Sequence, residues 1–379
     1  MKKIGIVTFW HANNFGALLQ NRALQEVLKK NSYEVNTIKF LPENPLRKKR
    51  TIVEIIKKIL SDPMSLKNYI IGKLKRKIES NLTINQNKKF LSFRNDYIES
   101  SKTFLTLEEI EKEMKCDYYI CGSDQIWNPN FIPEQEAKDF YFLNFCENSK
   151  KIAYAPSIAV QEIEKKDKEY YRDQLIKFKD LSTREARGAE IIKEISGKTA
   201  KVVLDPTLLL KGMEWRKIAK KPLKNKYIFA YFLGMTKEVE KTLIAFSKKT
   251  NLEIILIKYD HEKIYFKYDE NDAIEVNEFL GYIDNAEYIF TDSFHGSVFS
   301  TVFNKKFFVF NRSLKNTKDM SSRITTILEG VGLIDRFIRE PNNITLKTDE
   351  IDYIEVEKKL DILRKDSIEY LINSIEKGN

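Results

Sequence analysis

Short, largely apolar runs alternate with amphipathic stretches along most of this 379-residue chain. Lys3 to Phe9 is the first such run and predicts a buried strand of a parallel sheet. Ala17 to Lys30 then sets Leu18, Leu19, Leu24, Val27 and Leu28 on one helical face, and Tyr33 to Phe40 reads as the next strand. This strand–helix–strand opening predicts a parallel pair with a right-handed crossover. The rhythm resumes with a helix over Leu107 to Lys115, strands at Tyr118 to Cys121 and Lys151 to Ala155, and a polar helix over Glu162 to Lys177. A short strand at Leu181 to Glu185, a helix over Ala189 to Ile195 and a strand at Lys201 to Leu204 close the series.

A second series starts at the apolar run Tyr227 to Gly234. Helix Lys237 to Lys249, strand Leu252 to Tyr259, helix Phe279 to Asp284 and strand Tyr288 to Phe290 follow, then a helix beginning near Gly296. Strand Lys306 to Asn311 and a helix from Ser322 to Glu329, ended by Gly330, complete it. From about Ile351 the apolar positions Ile354, Val356, Leu360, Leu363, Ile368, Leu371 and Ile375 predict one long amphipathic helix. The expected fold class is therefore α/β, two Rossmann-like domains facing a cleft. The expected division is 1–205, 206–345 and a C-terminal helix at 346–379, the length being that of two ordinary cores. The polar clusters Asn13–Gly16, Gly122–Asn128, Pro156–Ser157, Arg184 and Asp292–His295 each follow a strand, so both halves should deliver polar groups to one cleft.

Charge changes this picture in one place. Residues 44–90 hold 13 Lys or Arg against three acids, a local excess equal to the net +10 of the whole chain. Within them Ile52, Ile55, Ile56, Ile59 and Leu60, then Ile70, Ile71, Leu74 and Ile78, recur at helical spacing, predicting two basic amphipathic helices. Such a segment suits an anionic membrane surface, where each cation contributes about 1 kcal/mol. No reading motif accompanies it, which argues against nucleic acid. The three cysteines, Cys116, Cys121 and Cys146, have neither disulfide nor zinc spacing and fit a reducing cytoplasm. No apolar run approaches the ~18 residues of a membrane span, and the N-terminus reads as a strand and not a signal.

Candidate chemistry centres on His295, one of three histidines, at a strand-to-helix turn where unpaired N–H groups favour anions. Asn14 and Gly16 form a second such turn. Ser123, Asp124 and Gln125 offer hydroxyl, carboxylate and amide to a polyhydroxylated ligand, and Trp127 a face for a sugar to stack on. Arg184, Arg312 and Arg323 lie at element ends, where a guanidinium can hold carboxylate or phosphate bidentately. P-loop, zincin and GxSxG patterns are absent, and no metal site is expected. What remains is group transfer from an anionic donor.

The stretches Asn14–Gln20, Gly122–Asn128, Tyr154–Ser157, Ser182–Glu185, Leu204–Thr207, Thr291–Gly296 and Ser322–Ile324, in this order and spacing, resemble the polysaccharide pyruvyl transferase family. The resemblance implies a glycosyltransferase-B-like fold and transfer of the carbon skeleton of phosphoenolpyruvate onto two sugar hydroxyls as a ketal, with release of phosphate. It implies no cofactor beyond phosphoenolpyruvate as co-substrate. It assigns His295 as the catalytic residue. Arg323, Arg184, Arg312, Ser293, Gly296 and Ser297 are expected on the donor side, and Asn14, Gly16, Ser123, Asp124, Gln125 and Trp127 on the acceptor side. Many members carry an arginine two residues before the histidine; here Ser293 stands in that place, and Arg323 is the first choice to replace it. The expected partner is a glycan or lipid-linked saccharide of the cell envelope, met in the cytoplasm at the inner membrane face. Alternatives are a nucleotide-sugar glycosyltransferase, for which Glu275 or Glu278 would hold a ribose, and a non-catalytic glycan-binding protein. Oligomeric state is left open.

Overall fold

In a computed structural model the structure describes residues 1–42, 85–132, 134–260, 263–267, 274–312, 321–341, 346 and 348–377. The two basic helices expected within the segment 44–90, around 52–60 and 70–78, lie outside these residues.

The first half forms a five-stranded parallel sheet of β1 (Lys3–Val7), β2 (Glu34–Phe40), β3 (Ser100–Phe104), β4 (Tyr118–Cys121) and β5 (Lys151–Ala153), ordered β3-β2-β1-β4-β5. Helix α1 (Phe15–Lys30) crosses from β1 to β2, and α2 (85–97), α3 (Leu107–Glu113) and α4 (Gln135–Tyr141) fill later connections. Beyond α5 (Lys165–Leu175), strands β6 (Ser182–Thr183) and β7 (Lys201–Val202) pair in parallel around α6 (Ala186–Ser196). Short helices α7 (Pro206–Leu209) and α8 (Gly212–Arg216) lead into the second half.

There, β8 (Tyr227–Phe232), β9 (Glu253–Asp260), β10 (Lys263–Lys267), β11 (Tyr288–Thr291), β12 (Lys306–Phe310) and β13 (Phe337–Ile338) make a sheet ordered β10-β9-β8-β11-β12-β13. Every pair is parallel except β10 with β9. Its helices are α9 (Lys237–Thr250), α10 (Val276–Asn285), α11 (Phe294–Val302) and α12 (Ser322–Val331), and α13 (Tyr353–Glu376) ends the chain. The architecture is two Rossmann-like α/β units in a glycosyltransferase-B-like arrangement.

The strand orders reverse between β1 and β4 in one sheet and between β8 and β11 in the other. Ligands of open parallel sheets bind at such reversals, outside the carboxyl ends of the strands. Here α1, after β1, and α11, after β11, meet across the interface. One apolar core runs through both units, joining Phe15, Leu18 and Phe90 to Tyr231, Phe279 and Phe299. Gln86 strengthens the seam by exchanging two hydrogen bonds with the backbone of Ile274, at 2.7 and 2.9 Å. Helix α13 returns to the first unit: Ser367 Oγ accepts from Leu204 N at 3.0 Å, Arg364 Nε donates to Leu208 O at 2.7 Å, and Tyr370 OH donates to Ala153 O at 3.1 Å.

Three strands escaped the sequence patterns, β3, β10 and β13, and all lie at sheet edges, where one-sided pairing needs no continuous apolar run. The first strand stops at Val7 instead of Phe9 because Thr8 turns its hydroxyl inward, donating to Ser123 O at 3.0 Å and accepting from Gln20 Nε2 at 2.8 Å. Gly332, at φ 78°, and not Gly330, ends α12, since only the former takes the left-handed conformation of a C-cap.

Candidate active site

The end of β11 is anchored before it turns. Asp292 accepts from Leu233 N and Gly234 N, both at 2.7 Å, tying β11 to the end of β8. Ser293 caps α11, its hydroxyl accepting from Gly296 N at 3.3 Å. Gly296 lies so close to Thr291 that a Cβ there would strike the threonine hydroxyl, so only glycine lets the helix start this near its strand. His295, second in the helix and 7% exposed, projects toward the first unit. What it meets is the backbone of Gly16, second residue of α1; a Cβ at Gly16 would occupy the space of the imidazole ring.

Behind the imidazole stands Asp205, which caps α7 and lies 3.8 Å from His295 Nε2, beyond hydrogen-bond distance but in direct electrostatic contact. Asp205 Oδ2 also accepts from Arg184 Nη1 at 2.9 Å and lies 2.8 Å from Ser123 Oγ, while Oδ1 accepts from Thr207 N at 3.0 Å and Thr207 Oγ1 at 2.6 Å. Burial disfavours its charge, but His295 and Arg184 outweigh burial and hold the carboxyl well below the usual carboxylate range. Arg184 has a fully buried side chain and also donates to Asp124 Oδ1 at 3.4 Å. Glu185, beside it, is held by Ser157 Oγ and the amides of Ile158 and Ala159.

Phe294 links this pair to a further cation. The Arg184 guanidinium sits 4.5 Å from the Phe294 ring centre and that of Arg323, from the first turn of α12, sits 6.0 Å away. Arg323 is 5% exposed, and among the described residues its guanidinium makes neither a hydrogen bond nor an ion pair. Burial, then the charges of Arg184 and Arg312, lower its pKa to about 9, so it stays protonated at neutral pH. A buried, charged guanidinium without acceptors is costly unless an anion completes it. Arg312 is different. It is 3.4 Å from Asp292 Oδ2 and donates to Asp292 O at 3.1 Å.

The structure thus brings His295, Arg184, Arg312 and Arg323 together, and corrects several expected roles. Arg184 and Arg312 are engaged with carboxylates, leaving Arg323 as the unmatched cation. Ser293 Oγ accepts from Gly296 N as a cap, Gly296 has no side chain, and Ser297 donates its hydroxyl to Phe294 O, so of the three only Ser293 keeps a hydroxyl proton to give. Asn14 caps Ala17 N, and Gly16 abuts the histidine instead of an anion. Ser123, Asp124 and Gln125 are buried, with Gln125 Oε1 accepting from Asn128, and form the wall behind the site. Trp127 is 1% exposed, stacked on Phe142 at 5.1 Å, with no face for a sugar. Glu275 and Glu278 form the capping box of α10, and each meets a lysine, Lys220 and Lys89 respectively. Asp205 was missed as the partner of His295. The Asp-Pro-Thr sequence marks it as a helix cap, but nothing local aims its second oxygen at a histidine far along the chain.

Among the described residues there is no cluster able to hold a metal ion, and no helix long and apolar enough to cross a membrane. No curated protein matches the chain in sequence. Among solved structures it is similar to a UDP-GlcNAc 2-epimerase from Neisseria meningitidis bound to UDP-GlcNAc, at 10% identity and a TM-score of 0.48 over 100% of both chains. It is also similar to a UDP-GlcNAc 2-epimerase from Methanocaldococcus jannaschii, at 12% identity and a TM-score of 0.46 over 96% of this chain and 92% of that one. An α-glucosyltransferase in complex with UDP and a 13-mer DNA aligns at 10% identity and a TM-score of 0.42, over 98% and 95%. Likeness this distant carries no information on activity. The sequence model of the polysaccharide pyruvyl transferase family, in contrast, matches residues 14–313, a span that runs from the cap of α1 through Arg184, Asp205 and His295 to Arg312. With both walls of the cleft inside that match, the chain belongs to the polysaccharide pyruvyl transferase family.

Proposed function

We propose that this transferase moves the pyruvyl unit of phosphoenolpyruvate onto two hydroxyls of a sugar, in a cell-surface polysaccharide or its lipid-linked precursor. The observation that carries the reading is a buried guanidinium, Arg323, with no acceptor among the described residues, in the same cluster as His295. Phosphoenolpyruvate brings phosphate and carboxylate, and either fits a guanidinium fork. In the reaction two C–O bonds form to the central carbon, the C–O bond to phosphate breaks, and the methylene carbon gains a proton. Of the two protons released by the hydroxyls, one balances that gain and the other leaves on phosphate. In this reading His295 takes or delivers a proton, with the ionised Asp205 as counter-charge to the imidazolium. Arg323 would stabilise the departing phosphate.

Phosphate release from phosphoenolpyruvate tests this directly. It should require a glycan acceptor and be lost in His295→Ala. Full turnover in that variant would refute the mechanism, and thermal stabilisation by uridine or guanosine nucleotides but not by phosphoenolpyruvate would refute the donor. The working location we propose is the cytoplasmic face of the membrane, supported by the basic excess of residues 44–90. Co-sedimentation with anionic vesicles that weakens at high salt is the expected result.

A further inference from the structure

The loop that leaves β1 carries a second cluster at the rim of the same cleft. Arg94, in α2, donates through Nη2 to Asn13 Oδ1 and more weakly to His11 O at 3.5 Å. Asn13 is oriented from its other end, its amide donating to Asn87 Oδ1 at 2.6 Å. Trp10 is pinned through Nε1 to Phe40 O at 3.1 Å, and His11 packs edge-on against it at 5.5 Å. Every acceptor that meets Arg94 is neutral. Among the described residues no carboxylate pairs with it, and its Nε is buried without a partner. Several arginines elsewhere, outside the His295 cluster, do find acids: Arg22 meets Glu26, Arg216 grips Asp284, and Arg364 meets Glu357 and Asp361. Burial lowers the pKa of Arg94, and burial together with the charge of Arg94 lowers that of His11. Among the described residues the Arg94 charge thus has no carboxylate in contact.

Its position says what it would meet. Asn13 precedes Gly16 by three residues, and Gly16 touches the His295 ring. Three residues reach at most about 10 Å, so the cluster lies within the span of a short saccharide from the imidazole. Arg323 already offers a cation for the donor, on the opposite wall.

We propose that Arg94, set in place by Asn13, binds an oxyanion carried by the acceptor saccharide on a part that does not react: a uronate carboxylate or a glycosyl phosphate. This rests on the reading of the protein as a pyruvyl transferase. A guanidinium takes either group through two parallel N–H bonds. The side chains of Asn13, Asn87 and His11 are neutral donors and acceptors suited to the surrounding hydroxyls.

The test compares wild type and Arg94→Gln on three acceptors: a neutral disaccharide, the same disaccharide with a uronic acid as its distal sugar, and its 1-phosphate. Wild type is expected to favour one charged acceptor by about 10-fold or more in kcat/KM, a tenfold ratio being about 1.4 kcal/mol. The gain should sit in the acceptor KM and collapse toward parity in Arg94→Gln. Which charged acceptor is preferred identifies the anion. Arg94→Lys should retain part of the preference, which a purely structural arginine would not. Equal use of neutral and charged acceptors by wild type, or a preference that survives Arg94→Gln, overturns the proposal. Binding of the same three saccharides without donor, read by tryptophan fluorescence, keeps the two readings apart. Should phosphoenolpyruvate chemistry fail while charged saccharides still bind more tightly through Arg94, the transfer reading falls and the anion site stands.

Discussion

Two helix starts close the cleft on the same local plan, and they serve opposite ends. Asn14-Phe15-Gly16 opens α1 and Ser293-Phe294-His295 opens α11; each begins with a polar cap, sets phenylalanine at the first helical position, and meets the other at the second. Phe15 lies flat on Phe279 of the opposite unit, 4.4 Å between centres and 3° between planes, inside the shared apolar core. Phe294 crosses the same interface to the Arg184 guanidinium at 4.5 Å and has Arg323 of its own unit at 6.0 Å. The first contact is complete and holds the units together. The second is electrostatically unfinished, because among the described residues no carboxylate pairs with Arg323. Local sequence makes the two starts alike; the neighbours each finds in three dimensions make one a seam and the other a candidate site.

His295→Ala should have the largest effect, lowering kcat for pyruvyl transfer about 10²–10⁴-fold, the usual contribution of a positioned acid or base, with circular dichroism unchanged. Asp205→Asn strikes the support of the same start. It leaves Arg184 buried without its closest carboxylate and should cost about 3–5 kcal/mol in denaturant unfolding. The sign with pH follows from the lowered pKa of Asp205. Its stabilisation is fully present above the unfolded value near 3.9 and is lost as pH falls below that. The asparagine variant should lack this part of the acid limb.

Gly16→Ala tests whether the two second positions act as a unit. Alanine would favour an isolated helix by about 1 kcal/mol, yet here its Cβ displaces the imidazole. A displacement of about 1 Å costs roughly 10²-fold in kcat, so activity should drop while helix content holds. Unchanged activity would show that the ring tolerates the crowding. Arg323→Met should raise the stability of the free protein by about 1–3 kcal/mol, since an unsatisfied buried charge is removed, and abolish thermal stabilisation by phosphoenolpyruvate. In wild type that stabilisation should persist below pH of about 9 and weaken above it, as the lowered Arg323 pKa is passed and the cation is lost. Smallest is Phe15→Leu, which forfeits ring stacking worth about 1 kcal/mol in Tm-derived stability and should leave the pH profile of turnover as it was.

Much of this arrangement was readable before any coordinates. The alternation of strands and helices, the polar clusters after strands, and the turn at His295 are written in patterns only a few residues long, and local sterics and burial enforce them. Edge strands such as Ser100–Phe104 carry no such pattern. Arg184 and Arg323 also look alike in the chain, each beside a helix start. Only folding places three acids around the first, at 2.9, 3.4 and 4.0 Å, and leaves the second without one. Trp127 shows the reverse error. A tryptophan in a polar loop resembles a sugar platform until Phe142 and Tyr171 are packed around its loop.

The linear chain therefore determined the two α/β units, the family and the histidine, because each rests on periodicity or on contiguous residues. The partners belong to three dimensions: Asp205 behind His295, Gly16 against its ring, Arg94 without an acid at the rim. Charge compensation and contact depend on distances between residues remote in sequence, and no short-range pattern encodes those distances.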